Sequence, residues 1–259
     1  MDLGLAGRKA VVCASSRGLG KACALALARE GCLVVINGRQ VDALHATATE
    51  IATASGQRPV VVVADVGTAA GRDALLNACP EPDILVTNNG GPAPGETGLW
   101  DHATWLAAVE SNMLSGILLI QAVVPGMRAR RFGRIVNITS AMVKSPQLML
   151  GLSTASRAGL TAFSKAMSKE VIRDNVTINN LLPERIDTER IRYMTEQLAV
   201  RRQITLEQAR TDLLKPVAAR RFGRPEELGD ACAYLCSAQA GYISGQNLQI
   251  DGGSYDGLI

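Results

Sequence analysis

The first residues in the chain that could do chemistry form the run Cys13-Ala14-Ser15-Ser16-Arg17-Gly18-Leu19-Gly20. Small side chains and two glycines let a backbone come close to a phosphate. A helix opening at the end of the run adds free N–H groups and a favourable dipole. Alone, such a turn also describes a tight strand-to-helix connection with no ligand. About twenty residues on, where an NAD site offers a carboxylate to the ribose 2′-hydroxyl, this chain has Asn37-Gly38-Arg39. Arg39, with Arg17 in the first turn, offers two guanidinium groups suited to a 2′-phosphate instead. The competing reading is two solvated surface arginines. The pattern favours NADP(H) over NAD(H).

Those residues need elements to position them. Short apolar runs at Ala10–Ala14, Leu33–Ile36, Val60–Ala64, Ile84–Val86, Ile135–Ile138, Val176–Leu182 and Leu248–Ile250 are rich in Val and Ile. Continuous apolar character is what strands buried on both faces require. Amphipathic stretches alternate with them: Gly20–Arg29, Val41–Ala54, Ala103–Arg130 and Ser153–Arg173. The alternation predicts one α/β domain over residues 1–259, a parallel sheet with helices on both faces. One segment, Thr188–Arg221, is polar and helical where a short connection would serve. It reads as a lid or binding element, or as a peripheral helix pair.

Composition closes off other classes. The chain has 259 residues and a net charge of +3, and only 3% of it is aromatic. No basic block exceeds an arginine pair, so neither an electrostatic footprint for nucleic acid nor a base-stacking platform is expected. The apolar run Gly116–Val124 contains Gln121 and stops at Pro125, too short to cross a membrane. The start MDLGLAGRKAVV lacks the layout of a signal peptide. Six cysteines without a C-x-x-C pair read as buried, reduced thiols in a cytoplasmic protein, with Cys232 and Cys236 sharing a helix face as core and not as metal ligands. His45 and His102 read as surface residues.

With these residues in hand, the chain resembles the short-chain dehydrogenase/reductase family, and within it the 3-oxoacyl-carrier-protein reductase branch, from Arg8 to Gly253. Asp65 stands where the family contacts adenine, followed by Val66. Asn88-Asn89-Gly90-Gly91 is similar to the family's Asn-Asn-Ala-Gly turn. Asn112 matches the catalytic asparagine, and Gly133-Arg134-Ile135-Val136-Asn137-Ile138-Thr139-Ser140 ends on the catalytic serine. Pro183 and Ile186-Asp187-Thr188 match the segment that holds the nicotinamide carboxamide and pyrophosphate, and Ser244-Gly245-Gln246 with Asp251-Gly252-Gly253 matches the family's ending. The resemblance implies a Rossmann-type doubly wound seven-stranded sheet of order 3-2-1-4-5-6-7. It further implies a dinucleotide on Ser15, Ser16, Arg17, Gly18, Leu19, Gly20, Arg39, Asp65, Val66, Asn88, Gly90, Arg157, Pro183, Ile186 and Thr188. A homodimer or homotetramer is implied, paired through the helices around Ala103–Arg130 and Ser153–Arg173.

The departures bear on mechanism. The family places a tyrosine thirteen residues after the serine and a lysine four further on; here those positions hold Ser153 and Arg157. Cys13-Ala14 replaces the usual Thr-Gly, and Glu184 replaces the glycine after Pro183. A serine hydroxyl cannot do a phenol's work as acid, and a guanidinium has no proton to give, though Arg157 could hold ribose hydroxyls. A positioned general acid contributes about 10²–10⁴-fold, or about 3–5 kcal/mol. Positioning of donor and acceptor contributes about 7–11 kcal/mol, so the lost contribution is the smaller one: a slow reductase is physically possible, and so is binding without turnover. The catalytic set is then Ser140, Asn112, Ser153 and Arg157, with Asn112 supporting a proton-relay water and Glu184, Tyr193 or Lys144 as substitute donors. The expected function is NADP(H)-dependent oxidation or reduction of a small carbonyl or alcohol. The alternatives are a dinucleotide-binding pseudoenzyme acting as sensor or scaffold, and a hydratase or isomerase on the same scaffold.

Overall fold

A computed structural model describes residues 1–258. Its seven strands are β1 (Lys9–Val12), β2 (Leu33–Gly38), β3 (Val60–Val63), β4 (Ile84–Thr87), β5 (Gly133–Ile138), β6 (Val176–Pro183) and β7 (Asn247–Ile250). They form one parallel sheet of order β3-β2-β1-β4-β5-β6-β7. The helices are α1 (Gly18–Arg29), α2 (Val41–Ser55), α3 (Ala69–Ala78), α4 (His102–Val109), α5 (Ser115–Ala129), α6 (Gly151–Val171), α7 (Glu189–Arg202), α8 (Leu206–Leu214) and α9 (Pro225–Cys236). Fold class and strand order match what the sequence implied.

Successive strand residues point to opposite faces, so the sheet feeds two cores. Ala10, Val12, Val34 and Ile36 pack with Leu27, Leu44, Leu228 and Cys232 on the α1–α2–α9 side. Val11, Cys13, Leu85 and Ile135 pack with Leu75, Leu119, Ile120 and Leu160 on the α3–α5–α6 side. All six cysteines are buried and free, and burial pushes the Cys13 thiol up to about 12.

The expected helix over Ala103–Arg130 forms as the run His102–Ala129, with one irregular turn inside it. α4 gives way to one π turn, Glu110–Leu114, before α5 begins. The whole helical run His102–Ala129 is long and apolar enough to cross a membrane by length and composition alone. Its apolar stripe of Leu119, Ile120, Val123, Val124 and Met127 is packed onto the sheet, which makes it a core helix.

After β3 the chain crosses β1 to start β4, so the connections leaving β1 and β4 diverge. The crevice this opens at the carboxyl ends of the strands is where open α/β sheets bind ligands. A buried polar chain braces the strands beside it. Thr87 Oγ1 donates to Asn137 Oδ1, Asn137 Nδ2 donates to Asn180 Oδ1, and Asn180 Nδ2 donates to Asn247 Oδ1.

Candidate active site

The crevice holds a cavity of about 780 Å³ that runs from Arg39 and Asp65 at one end to Ser140, Gln147, Leu150 and Ser153 at the other. At its centre the turn 13–20 folds as the sequence required. Ala14 takes φ +45°, a left-handed conformation that favours glycine. A Cβ on Gly20 would lie 2.4 Å from the Ala14 carbonyl oxygen, so only glycine fits. Asn88 Nδ2 donates to that same oxygen at 3.2 Å and ties the β1 and β4 loops together. No side chain caps the start of α1, which leaves its first N–H groups facing the cavity.

The candidate dinucleotide residues divide by position. Ser16, Arg17, Gly18, Leu19, Arg39, Asp65, Val66, Asn88, Gly90, Arg157, Pro183, Ile186 and Thr188 line the cavity. Ser15 does not: it is fully buried, its hydroxyl donates to the Val12 carbonyl at 2.8 Å and accepts the Asn37 N–H at 2.9 Å. It shapes the turn from behind. Arg39 is 74% exposed and its one partner among the described residues is Asp65, at 3.4 Å. Arg17 is committed further than the sequence suggested, donating to Glu189 at 2.5 Å and to Gln40. Gln40 leaves the start of α2 uncapped as well, so Arg17, Arg39 and free N–H groups converge on one place. That convergence suits a phosphate monoester. Uncapped helix start, glycine approach and paired arginines together fit a phosphorylated dinucleotide.

Thr188 and Glu189 bring α7 over the turn. The Thr188 methyl would lie 3.7 Å from a Cβ on Gly18, and Arg190 donates to the Pro92 carbonyl at 2.8 Å. α8 follows, its start closed by a reciprocal Thr205–Gln208 capping box.

At the other end the geometry revises the roles expected of Arg157 and Asn112. Arg157 is buried, and all five of its N–H groups are spent within the protein. Nε donates to Ser153 Oγ at 3.1 Å, Nη1 to the Ile138 and Thr139 carbonyls at 2.7 and 3.0 Å, and Nη2 to the Asn89 carbonyl and Asn112 Oδ1 at 3.1 and 3.2 Å. No donor is left over for a ribose hydroxyl. None of the five acceptors is a carboxylate; burial and the nearby Arg190 pull the guanidinium down to about 10. It stays protonated at neutral pH. Asn112 is likewise committed, its amide donating to Ser111 Oγ at 2.7 Å and its carbonyl taken by Arg157. The π turn delivers Asn112 to that position, as such turns often do at functional sites. The sequence pattern carried no trace of it.

Ser140 Oγ accepts the Met142 N–H at 3.2 Å, and Ser153 Oγ accepts from Arg157. Among the described residues neither hydroxyl proton has an acceptor, and both side chains line the cavity. Of the substitute donors, Glu184 lines the cavity but accepts from the Ser254 hydroxyl and faces Arg185 at 3.5 Å. Tyr193 lines it from α7, half exposed. Lys144 is turned toward Gln249, at 3.2 Å, and lies over the Tyr255 ring. His45 and His102 are exposed.

The chain is similar to known proteins over nearly its whole length. A family model described as Enoyl-(Acyl carrier protein) reductase matches residues 13–255. The chain is 31% identical to the uncharacterized oxidoreductase YvaG of Bacillus subtilis, covering 98% of each chain. It is 32% identical to the 3-oxoacyl-[acyl-carrier-protein] reductase FabG of Vibrio cholerae, covering 98% of this chain and 99% of that one. The crystal structure of L-sorbose reductase from Gluconobacter frateurii, complexed with NADPH and L-sorbose, superposes with a TM-score of 0.94 at 32% identity, with both chains fully covered.

Proposed function

Since the chain belongs to the short-chain dehydrogenase/reductase family, we propose that it is an NADP(H)-dependent oxidoreductase of small carbonyl or alcohol compounds. The observation that carries this reading is the continuous cavity, which joins a phosphate-binding turn flanked by arginines to a serine hydroxyl with a free proton. When bound, the nicotinamide supplies or takes up a hydride. The uncapped start of α1 holds the pyrophosphate, Arg39 and Arg17 hold the 2′-phosphate, and Asp65 with Val66 borders the adenine. Ser140 donates a hydrogen bond to the substrate oxygen, the charge of Arg157 favours negative charge developing near it, and the proton that completes the reduction comes from water or from Tyr193 in the same cavity. Carbonyl substrates suit the relatives' chemistry, and a 3-oxoacyl compound is the first class to try. Leu106 on α4, Leu114 on the π turn and Leu118 on α5 leave an apolar face exposed, which we assign to a subunit interface. The chain acts in the cytoplasm.

The test combines turnover and cofactor choice. NADPH oxidation is expected with members of a carbonyl panel and is expected to fall about 10²–10³-fold in Ser140→Ala, as for loss of an oxyanion donor. Two charge-assisted contacts of about 1.5–3 kcal/mol each give NADPH more than tenfold tighter binding than NADH. Fluorescence titration reads this directly; equal affinities, or tighter NADH, would remove the argument from Arg17 and Arg39. A second reading, binding without turnover, is favoured by the commitment of Arg157 to the protein. Tight NADPH binding with no NADPH oxidation in the presence of any panel compound would select it.

The segment 188–221 is proposed as a lid. Polar links from its helices to the rest of the chain, such as the Arg17–Glu189 pair, Arg190 on Pro92 and Arg201 on Met149, are exposed, contacts of the kind that open easily, while Ile191, Thr195, Ala199 and Ala209 are buried. Hydrogen exchange is expected to show α7 and α8 opening faster than the sheet and slowing with NADPH. Protection that is high and indifferent to NADPH would make the segment ordinary packing.

A further inference from the structure

Two hydroxyl protons face the cavity, and the oxidoreductase reading, on which this inference rests, uses only one. Ser140 takes the reacting oxygen. Ser153, in the first turn of α6, lines the same cavity. The Arg157 Nε–H occupies its oxygen at 3.1 Å. The other four N–H groups of Arg157 are held by acceptors on the last residue of β5 and the residue after it, the loop after β4 and the π turn, so the guanidinium cannot swing away. With one side of its oxygen taken, the Ser153 hydroxyl has the cavity left as the direction for its proton. Gly91 keeps that approach open: a Cβ there would sit 3.5 Å from both Ser153 Oγ and Arg157 Nη2. A serine hydroxyl is too weak an acid to protonate an alkoxide, but it is a good donor to an oxygen present throughout the reaction.

We propose that Ser153 is a substrate-binding residue that reads a second oxygen, one or two carbons from the reacting carbonyl, and that Arg157 is the positioning residue that aims it. The preferred substrates are hydroxyketones and related oxygenated carbonyl compounds, and plain ketones are poor ones. The contact is made to an oxygen whose charge does not change, so it holds ground state and transition state alike and is felt in KM more than in kcat. A plain ketone leaves the donor unpaired, and that is the source of the discrimination.

Three compounds of one skeleton test this: 2-butanone, 3-hydroxy-2-butanone and 4-hydroxy-2-butanone, each assayed with NADPH. The wild type is expected to favour at least one hydroxyketone over 2-butanone by about tenfold or more in kcat/KM, mainly through KM. Ser153→Ala should bring that ratio close to one, and Ser153→Thr, which keeps the hydroxyl, should retain it. Arg157→Met should lose the ratio although Ser153 is still present; if that variant does not fold, the Ser153 pair decides. A wild type without preference, or a Ser153→Ala variant that keeps it, overturns the inference and leaves the oxidoreductase reading standing. If none of the three is turned over, that reading fails for these compounds and binding decides. In saturation-transfer NMR on protein loaded with NADP⁺, hydroxyketone binding that Ser153→Ala abolishes supports the inference. Signals equal in the two proteins, including none in either, overturn it.

Discussion

Arg157→Met is expected to lower the melting temperature by roughly 6–20 °C, a cost of about 3–5 kcal/mol at about 2–4 °C per kcal/mol for a chain of this size. The magnitude follows from what the guanidinium holds. Its loss strands the carbonyls of Ile138, Thr139 and Asn89 and the amide oxygen of Asn112. Each buried acceptor left without a donor costs about 1–3 kcal/mol. Two effects trim the sum: water from the neighbouring cavity can reach some of the acceptors, and methionine spares the protein the burial of a charge. That burial draws the Arg157 guanidinium down to about 10, well below its ordinary value. The folded value lies below the unfolded one, so the folded state binds the proton less well. The penalty is constant below about pH 10 and is relieved as pH rises above it, toward the ordinary guanidinium value. The stability difference between wild type and variant should therefore be flat from pH 6 to 9 and widen above about pH 10. Urea unfolding at several pH values checks both claims. A melting point within a degree or two of wild type would mean that the four acceptors find other donors.

What could be read from the sequence, and what could not, divides along a physical line. Strand positions such as Val34–Ile36 and Val176–Leu182 are legible because burial on both faces writes a continuous apolar run. The turn 13–20 is legible because backbone approach to a phosphate demands small residues at fixed places. Ser140 is found because it ends a strand whose neighbours match a family pattern. The network of Arg157 is not legible. Its acceptors come from the end of β5 and the residue after it, the loop after β4, the π turn and its own helix, and which carbonyls meet one guanidinium depends on rotamers and strand register together. The same holds for Ser15, whose inward orientation follows from the turn's twist, and for Arg17, whose partner Glu189 is 172 residues away. The π turn adds a residue to a helix without disturbing the apolar stripe on either side, so periodicity passes over it.

That network also sets the terms for restoring the family's acid. The double variant Ser153→Tyr/Arg157→Lys is expected to gain up to roughly 10²–10⁴-fold in reductase activity on a generic acyl ketone, with NADPH affinity little changed. A phenol at 153 supplies the proton that a serine cannot. The cavity before it is wide, and Gly91 opposite has no side chain to obstruct a ring. Either change alone is expected to do less, for opposite reasons. Ser153→Tyr removes the acceptor of Arg157 Nε, leaving a buried N–H without a partner beside the new ring. Arg157→Lys leaves three donors for five acceptors while Ser153 still lacks acidity. Together the missing acceptor and the missing Nε–H cancel, and the smaller ammonium makes room for the ring, with three donors facing the four remaining acceptors. The two changes should therefore be strongly non-additive in both melting temperature and kcat/KM, as for groups that act as a unit. A four-member cycle of wild type, two single variants and the double variant measures the coupling. A double variant that folds, binds NADPH and gains nothing would show that the site is not a family site with its acid deleted. The proton would then come from elsewhere in the cavity wall, where Tyr193 on α7 and Glu184 beside Ser254 are the side chains to replace next.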